Sequence, residues 1–206
     1  MVASDHIKPD WKKATQTGKL EAVQASSDYS SENCSVARTL AVIGERWTLL
    51  ILREAFYGVC RFRDFQSRLG VASNLLTARL DTLVDAGIME RVPYQDPGDR
   101  QRHEYHLTRS GVDLRPILVA LLQWGDRYLA DADGPSVILR HRTGAGEPDC
   151  EQPVHVEIAC DGGHAPLDGR AVWRTPGPGA RLRDPGRPAP GAEGVLAPGP
   201  DGPGEL

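Results

Sequence analysis

The stretch at residues 71–87, VASNLLTARLDTLVDAG, constrains this chain more than any other. Leu76, Leu80, Leu83 and Val84 recur at three- and four-residue steps, which puts them on one side of an α-helix as an apolar stripe. Ser73 reads as the N-cap, Asn74 and Leu75 open the first turn, and Gly87 closes the far end. Asn74, Thr77, Ala78 and Asp81 fall on the other faces, with Arg79 at the margin. Small polar side chains in the first two turns suit a helix that enters a major groove. Asn and Thr can reach base edges, while Ala leaves room for the duplex or a thymine methyl. Any amphipathic surface helix shares this pattern, so the flanking segments carry the decision.

Immediately upstream, FRDFQSRL places Phe62, Phe65 and Leu69 at helical steps. Gly70 and Val71 leave a turn only a few residues long, as a helix-turn-helix requires. Downstream, IMERVPY at residues 88–94 alternates apolar and polar like a half-buried strand. The segment QDPGDRQR carries Asp-Pro-Gly turn chemistry, and residues 103–107 read as a second alternating strand. Helix, turn, helix and hairpin together predict a winged helix within a chain that is mainly α with a small β content. Arg100, Arg102 and His103 at the hairpin tip are placed for phosphates or a minor groove, or else form a solvated turn.

The net charge of −4 does not advertise nucleic-acid binding, but its distribution is uneven. Residues 34–129 hold thirteen Arg against eleven acidic groups, whereas residues 130–206 hold seven basic groups against twelve acidic ones. The proposed DNA-facing half is thus close to neutral, and a local Arg cluster can outweigh that balance. All four Lys lie in the first 20 residues, so every cation of the proposed reader is an Arg, suited to bidentate contacts. No apolar run approaches the roughly 18 residues of a membrane span, and the N-terminus shows no signal-peptide hydrophobic region. Cys34, Cys60, Cys150 and Cys160 are scattered without a CxxC pair, which favours thiols over a disulfide framework. A cytoplasmic location is expected. No nucleophile–base constellation, phosphate loop or paired-carboxylate motif points to an enzyme, and no cofactor is called for.

Along the chain, residues 1–33 read as a mobile arm, with helical tendency around residues 20–25. Residues 34–132 form the DNA-binding and dimerisation domain. It opens with a short helix at 36–43, broken by Gly44, and continues with RWTLLILREAF, which is apolar on nearly every side and belongs in a core. Burial there is worth about 1.5–3 kcal/mol per large side chain. Trp47 reads as a core or interface anchor, with ligand stacking as the alternative. A long helical pattern over 112–132 has Leu114, Ile117, Leu118, Leu121, Trp124 and Tyr128 on more than one face. That surplus predicts a two-fold dimer, whose two heads would match a palindromic site. Pro116 is tolerable if it falls in the first turn or two. Residues 133–180 form a small extension, partly β, with strands expected at 137–142 and 154–160. Residues 181–206 are too rich in Pro and Gly to fold alone and read as disordered.

Several signatures coincide over residues 34–129: Cys34 ahead of the first helix, Gly44-x-x-Trp47-Thr48-Leu49-Leu50-Ile51-Leu52-Arg53, and Arg61-Phe62-x-x-Phe65. Ser73-x-x-Leu76-x-x-Arg79-Leu80-x-x-Leu83 and Tyr105-x-Leu107-Thr108 complete the set. This half of the chain resembles the HxlR-type winged-helix transcriptional regulators, which are mostly bacterial. The resemblance implies a homodimer that binds operator DNA and represses or activates nearby genes, with residues 73–86 as recognition helix and the helix after Thr108 in the dimer interface.

On that basis Asn74, Thr77 and Ala78 are the candidates for base or groove contact, and Ser73, Arg79, Arg100, Arg102 and His103 those for the backbone and wing. In some relatives a thiol at the Cys34 position senses oxidants or electrophiles, and a thiol just before a helix start feels the positive end of the dipole. The alternative theme is therefore a switch centred on Cys34, or on an inter-protomer pocket lined by Trp47, Trp124 and Tyr128 that takes a small-molecule effector. The extension resembles one that in some relatives carries paired cysteines. Here only His141, Cys150, His155, Cys160 and His164 remain, in spacings that fit no compact zinc knuckle, so a metal-free unit is expected with Cys150, Cys160 and His164 as the residual ligand candidates.

Overall fold

The computed structural model describes residues 33–144, 148, 150–172 and 177–181. The expected arm, apart from Asn33, and the tail beyond Arg181 lie outside the described residues. In order, the elements are α1 (Ser35–Ile43), α2 (Arg46–Phe56), α3 (Phe62–Leu69), α4 (Ser73–Asp85), β1 (Met89–Tyr94), β2 (Arg102–Leu107), α5 (Arg109–Val112) and α6 (Arg115–Tyr128). A single 3-10 turn follows at Gly169–Ala171. Residues Thr39–Val172 make one compact unit, and the described residues outside it belong to a second, in which Asn33 Nδ2 donates to the Gly179 carbonyl.

The core is the stripe read from the sequence. Leu76, Leu80 and Leu83 of α4 are fully buried among Ile51 and Leu52 of α2, Phe65 of α3 and Met89 of β1. The expectation for α2 holds on one face only. Thr48, Ile51, Leu52 and Glu54 are buried, whereas Trp47, Leu49, Leu50 and Phe56 are half-buried. The buried carboxylate of Glu54 is held by Arg53 at 2.7 Å and by Arg68 of α3 at 3.6 Å, so α2 and α3 are joined by charge as well as by packing.

Three local expectations are corrected. Ser73 is not the N-cap of α4. Ala72 is, and Ser73 takes the first helical position, so no side chain caps this end. The reason lies in the turn: Val71 is drawn into the core, and the carbonyl of Ala72 already accepts from the Leu76 amide at 3.0 Å. Second, the helical pattern over 112–132 is broken. α5 ends at Val112, Leu114 caps α6, and Pro116 falls in its first turn, where its missing N–H costs nothing. Third, the alternation of β1 does not translate into a half-buried strand. Only Met89 is buried, because the hairpin leaves the core after its first residue.

The hairpin pairs Met89 with Leu107 at its root and Tyr94 with Arg102 near its tip. The tip turns at Asp96-Pro97-Gly98-Asp99, with Gly98 at φ 84° and the Asp99 amide donating to the Asp96 carbonyl at 3.0 Å, as a type II turn requires. A third, one-bridge strand precedes α3: Arg61 pairs antiparallel with Glu104, and the Tyr105 amide donates to the Cys60 carbonyl at 2.7 Å. In the extension, the strands expected at 137–142 and 154–160 do not form among the described residues. One bridge, Arg140 to Pro153, is flanked by bonds from His141 to Gln152 and from Val154 to Leu139. Proline offers no ladder donor, and two strands with both faces in water are marginal.

The end of α4 is closed in a manner that ties it to the hairpin. Gly87, at φ 68°, sends its amide to Val84 while the Ile88 amide reaches Leu83, which is a Schellman motif. The hydroxyls of Thr108 and Ser110 donate to the Gly87 carbonyl at 2.6 and 2.8 Å. Gly111 packs so closely here that a Cβ would stand 2.2 Å from the Ile88 carbonyl oxygen. Replacing Gly111 by Ala is expected to lower unfolding stability by about 1–3 kcal/mol, and Leu80→Ala by about 2–5 kcal/mol. Denaturant midpoints measure both, and a midpoint unchanged in either variant would contradict this packing.

Candidate nucleic-acid interface

α4 presents opposite faces to core and solvent because its Leu stripe is buried. Ser73, Asn74, Thr77 and Ala78 are all exposed. Thr77 donates its hydroxyl to the Ser73 carbonyl at 2.9 Å, which orients its methyl outward. With no capping side chain, the first amides of α4 are left for solvent or an anion, and the helix dipole favours negative charge there. α3 crosses before this end after a turn in which Gly70 is left-handed, at φ 63°.

The wing stands beside this surface. Arg91 of β1 pairs with Asp81 of α4, and its guanidinium lies 5.9 Å from the Tyr105 ring, so the wing and the helix are pinned together. At the tip, Arg100 and His103 are exposed, whereas Arg102 pairs with Asp99 at 3.1 Å. Arg79 is more enclosed than its position in the sequence suggests. It pairs with Glu45 at 3.3 Å, and its Nε is buried without a hydrogen-bond partner. Arg63, exposed in the first turn of α3, is a further cation of the helix-turn-helix that the sequence reading does not single out.

The other sequence candidates are separated. Of the six apolar residues assigned to a dimer face, Leu114 and Leu118 pack against the core of their own chain. Ile117, Leu121, Trp124 and Tyr128 remain on one exposed stripe of α6, where the Trp124 and Tyr128 rings lie 5.3 Å apart. Cys34 is half-buried just before α1. Cys160 Sγ lies 3.2 Å from His164 Nδ1, but Cys150 does not join them within ligand reach among the described residues.

The family model for HxlR-like helix-turn-helix proteins matches residues 42–133. An HTH-type transcriptional regulator of Mycobacterium tuberculosis H37Rv, Rv3095, named as uncharacterized, is 44% identical over 161 residues, covering 77% of this chain and 97% of the relative. The chain belongs to the HxlR-like helix-turn-helix family. YdeP of Bacillus subtilis, also named an HTH-type transcriptional regulator, is 32% identical across 49% of this chain and 80% of its own length. The solved structure of PA1607, presented as a candidate transcription factor, superposes with a TM-score of 0.60 at 41% identity, covering 70% of this chain and 95% of the other. The 161 aligned residues exceed the 42–133 match, so the mycobacterial likeness runs into sequence flanking the winged helix. This HxlR-like protein is thus a transcriptional regulator by family, with the helix-turn-helix at α3 and α4. Among the described residues no helix is long and apolar enough to cross a membrane.

Where β2 meets the segment before α3, Arg61 donates to Glu104 Oε1 at 2.9 Å, and His106 Nε2 lies 3.0 Å from Oε2. These bonds, that of Arg61 foremost, hold the Glu104 carboxyl below its ordinary 4.5. A carboxyl depressed in the folded state stabilises the fold above its unfolded value, and that contribution is lost as pH falls through the lower folded value. Glu104→Gln should therefore flatten the acid limb of the stability curve below pH 4.5, read from unfolding midpoints against pH. An acid limb identical to the parent's would refute this.

Proposed function

We propose that this regulator acts as a homodimer, binding double-stranded DNA sequence-specifically at a palindromic operator. Asn74, Thr77 and Ala78 read the major groove, and the wing tip bears on the adjacent backbone or minor groove. The observation that carries this reading is the outward exposure of those three residues, at an uncapped helix start, beside an Arg-bearing hairpin. Ser73, Arg100, Arg102 and His103 supply phosphate or wing contacts, with Arg63 contributing from α3. Arg79 reaches a phosphate only by leaving Glu45. A chromosomal target goes with a cytoplasmic location.

The dimer rests on α6. Ile117, Leu121, Trp124 and Tyr128 are 41 to 56% exposed and spaced as one helical face. Such a stripe is an apolar patch that a symmetric partner covers most simply. Leu118 and Val119 of the same helix are turned to the core, which leaves this stripe outward among the described residues.

Selection from a random duplex pool tests the whole reading: an inverted repeat is expected, and recovery of no motif would overturn it. With that site in hand, Asn74→Ala should change the preferred base at one position of each half-site, by about 1–3 kcal/mol of discrimination. Arg100→Ala should weaken all sequences alike and reduce the salt slope by about one. Leu121→Glu with Trp124→Glu should yield a folded monomer by sedimentation and lose the palindrome's affinity advantage over a half-site. A double variant that stays dimeric would remove α6 from the interface.

A further inference from the structure

Where β2 meets the segment before α3, the fold brings together a thiol, a carboxylate and an imidazole. The ligating atoms of Cys60, Glu104 and His106 all lie within 4.8 Å of one another, and each of the three residues is partly buried. They come from two segments. Cys60 precedes α3, while Glu104 and His106, two apart on β2, point to the same face of the strand. The bond from the Tyr105 amide to the Cys60 carbonyl and the Arg61–Glu104 bridge fix those segments in register, so the cluster is built by the sheet.

We propose that Cys60 Sγ, Glu104 Oε2 and His106 Nε2 form a three-ligand site for a zinc-class divalent cation. The donor set decides the class: a thiolate and an imidazole select a borderline-soft ion over magnesium or calcium. Tetrahedral zinc holds its ligands about 3.5 Å apart, so the present spacing closes with side-chain rotations alone. Three protein ligands leave a fourth position for water, as in exchangeable rather than closed structural sites. Glu104 is well prepared, because Arg61 occupies Oε1 and leaves Oε2 facing the imidazole. The Arg61 guanidinium also lies 3.4 Å from Asp96 and 4.3 Å from the Tyr94 ring. On binding, the Cys60 thiol loses its proton to solvent, His106 carries its proton on Nδ1, and the two anionic ligands offset the dication. Burial and then Glu104 push that thiol up. Occupancy would cross-link the α2–α3 connection to β2 and so stiffen the wing.

The test uses the full chain, without DNA, so its failure leaves the operator reading untouched. Cobalt(II) is the probe, in a Cys34→Ser, Cys150→Ser, Cys160→Ser background that silences the other thiols. One equivalent should bind and give a thiolate-to-cobalt charge-transfer band, which disappears when Cys60→Ser is added. His106→Gln, a change at a half-exposed side chain that the fold tolerates, should weaken cobalt and zinc affinity at least about tenfold. It provides the decision if Cys60→Ser fails to fold. Absence of the band from the triple-Ser background, or unchanged affinity in His106→Gln, would overturn the site.

Discussion

The burial of three leucines on α4 is the constraint on which the rest of this structure depends. Leu76, Leu80 and Leu83 are removed from water among side chains of α2, α3 and β1, and rotation of the helix about its axis would expose them. At about 1.5–3 kcal/mol for each large side chain, that rotation is out of reach of thermal motion. With the stripe fixed inward, Asn74, Thr77 and Ala78 have nowhere to face but solvent. A hydrophobic requirement on one side of the helix thereby sets the geometry of a polar surface on the other.

The ends of α4 are treated oppositely. Its C-terminal end is sealed by a Schellman turn, two hydroxyl donors to Gly87 and a glycine contact at Gly111 that tolerates no side chain. Its N-terminal end has no capping side chain at all. A helix anchored firmly at one end and open at the other is suited to present backbone donors to an anion without shifting in its socket. The Arg91–Asp81 pair adds a contact between α4 and the wing.

Much of this was readable in the order of residues. The helix-turn-helix segments and the Asp-Pro-Gly turn follow from local periodicity and turn chemistry, which depend on near neighbours only. Ser73 misled because serine is a good N-cap wherever the chain leaves it one position earlier, and here the pull of Val71 into the core decided the phase. The extension misled in the same way: residues 154–160 alternate convincingly, yet alternation makes a strand only when one face has something to cover.

What the sequence determined by itself was the identity of the helix-turn-helix and hairpin elements and the inward face of α4, since both are consequences of spacing along one chain. Tertiary structure alone decided which charges are committed. Arg79 is claimed by Glu45, Arg102 by Asp99 and Arg91 by Asp81, while Arg100 stands exposed at the wing tip. It also decided that Cys60, some forty residues from Glu104 and His106, would share one small space with them. Periodicity orders residues within an element, but only the register between elements brings distant side chains within reach of a common ligand.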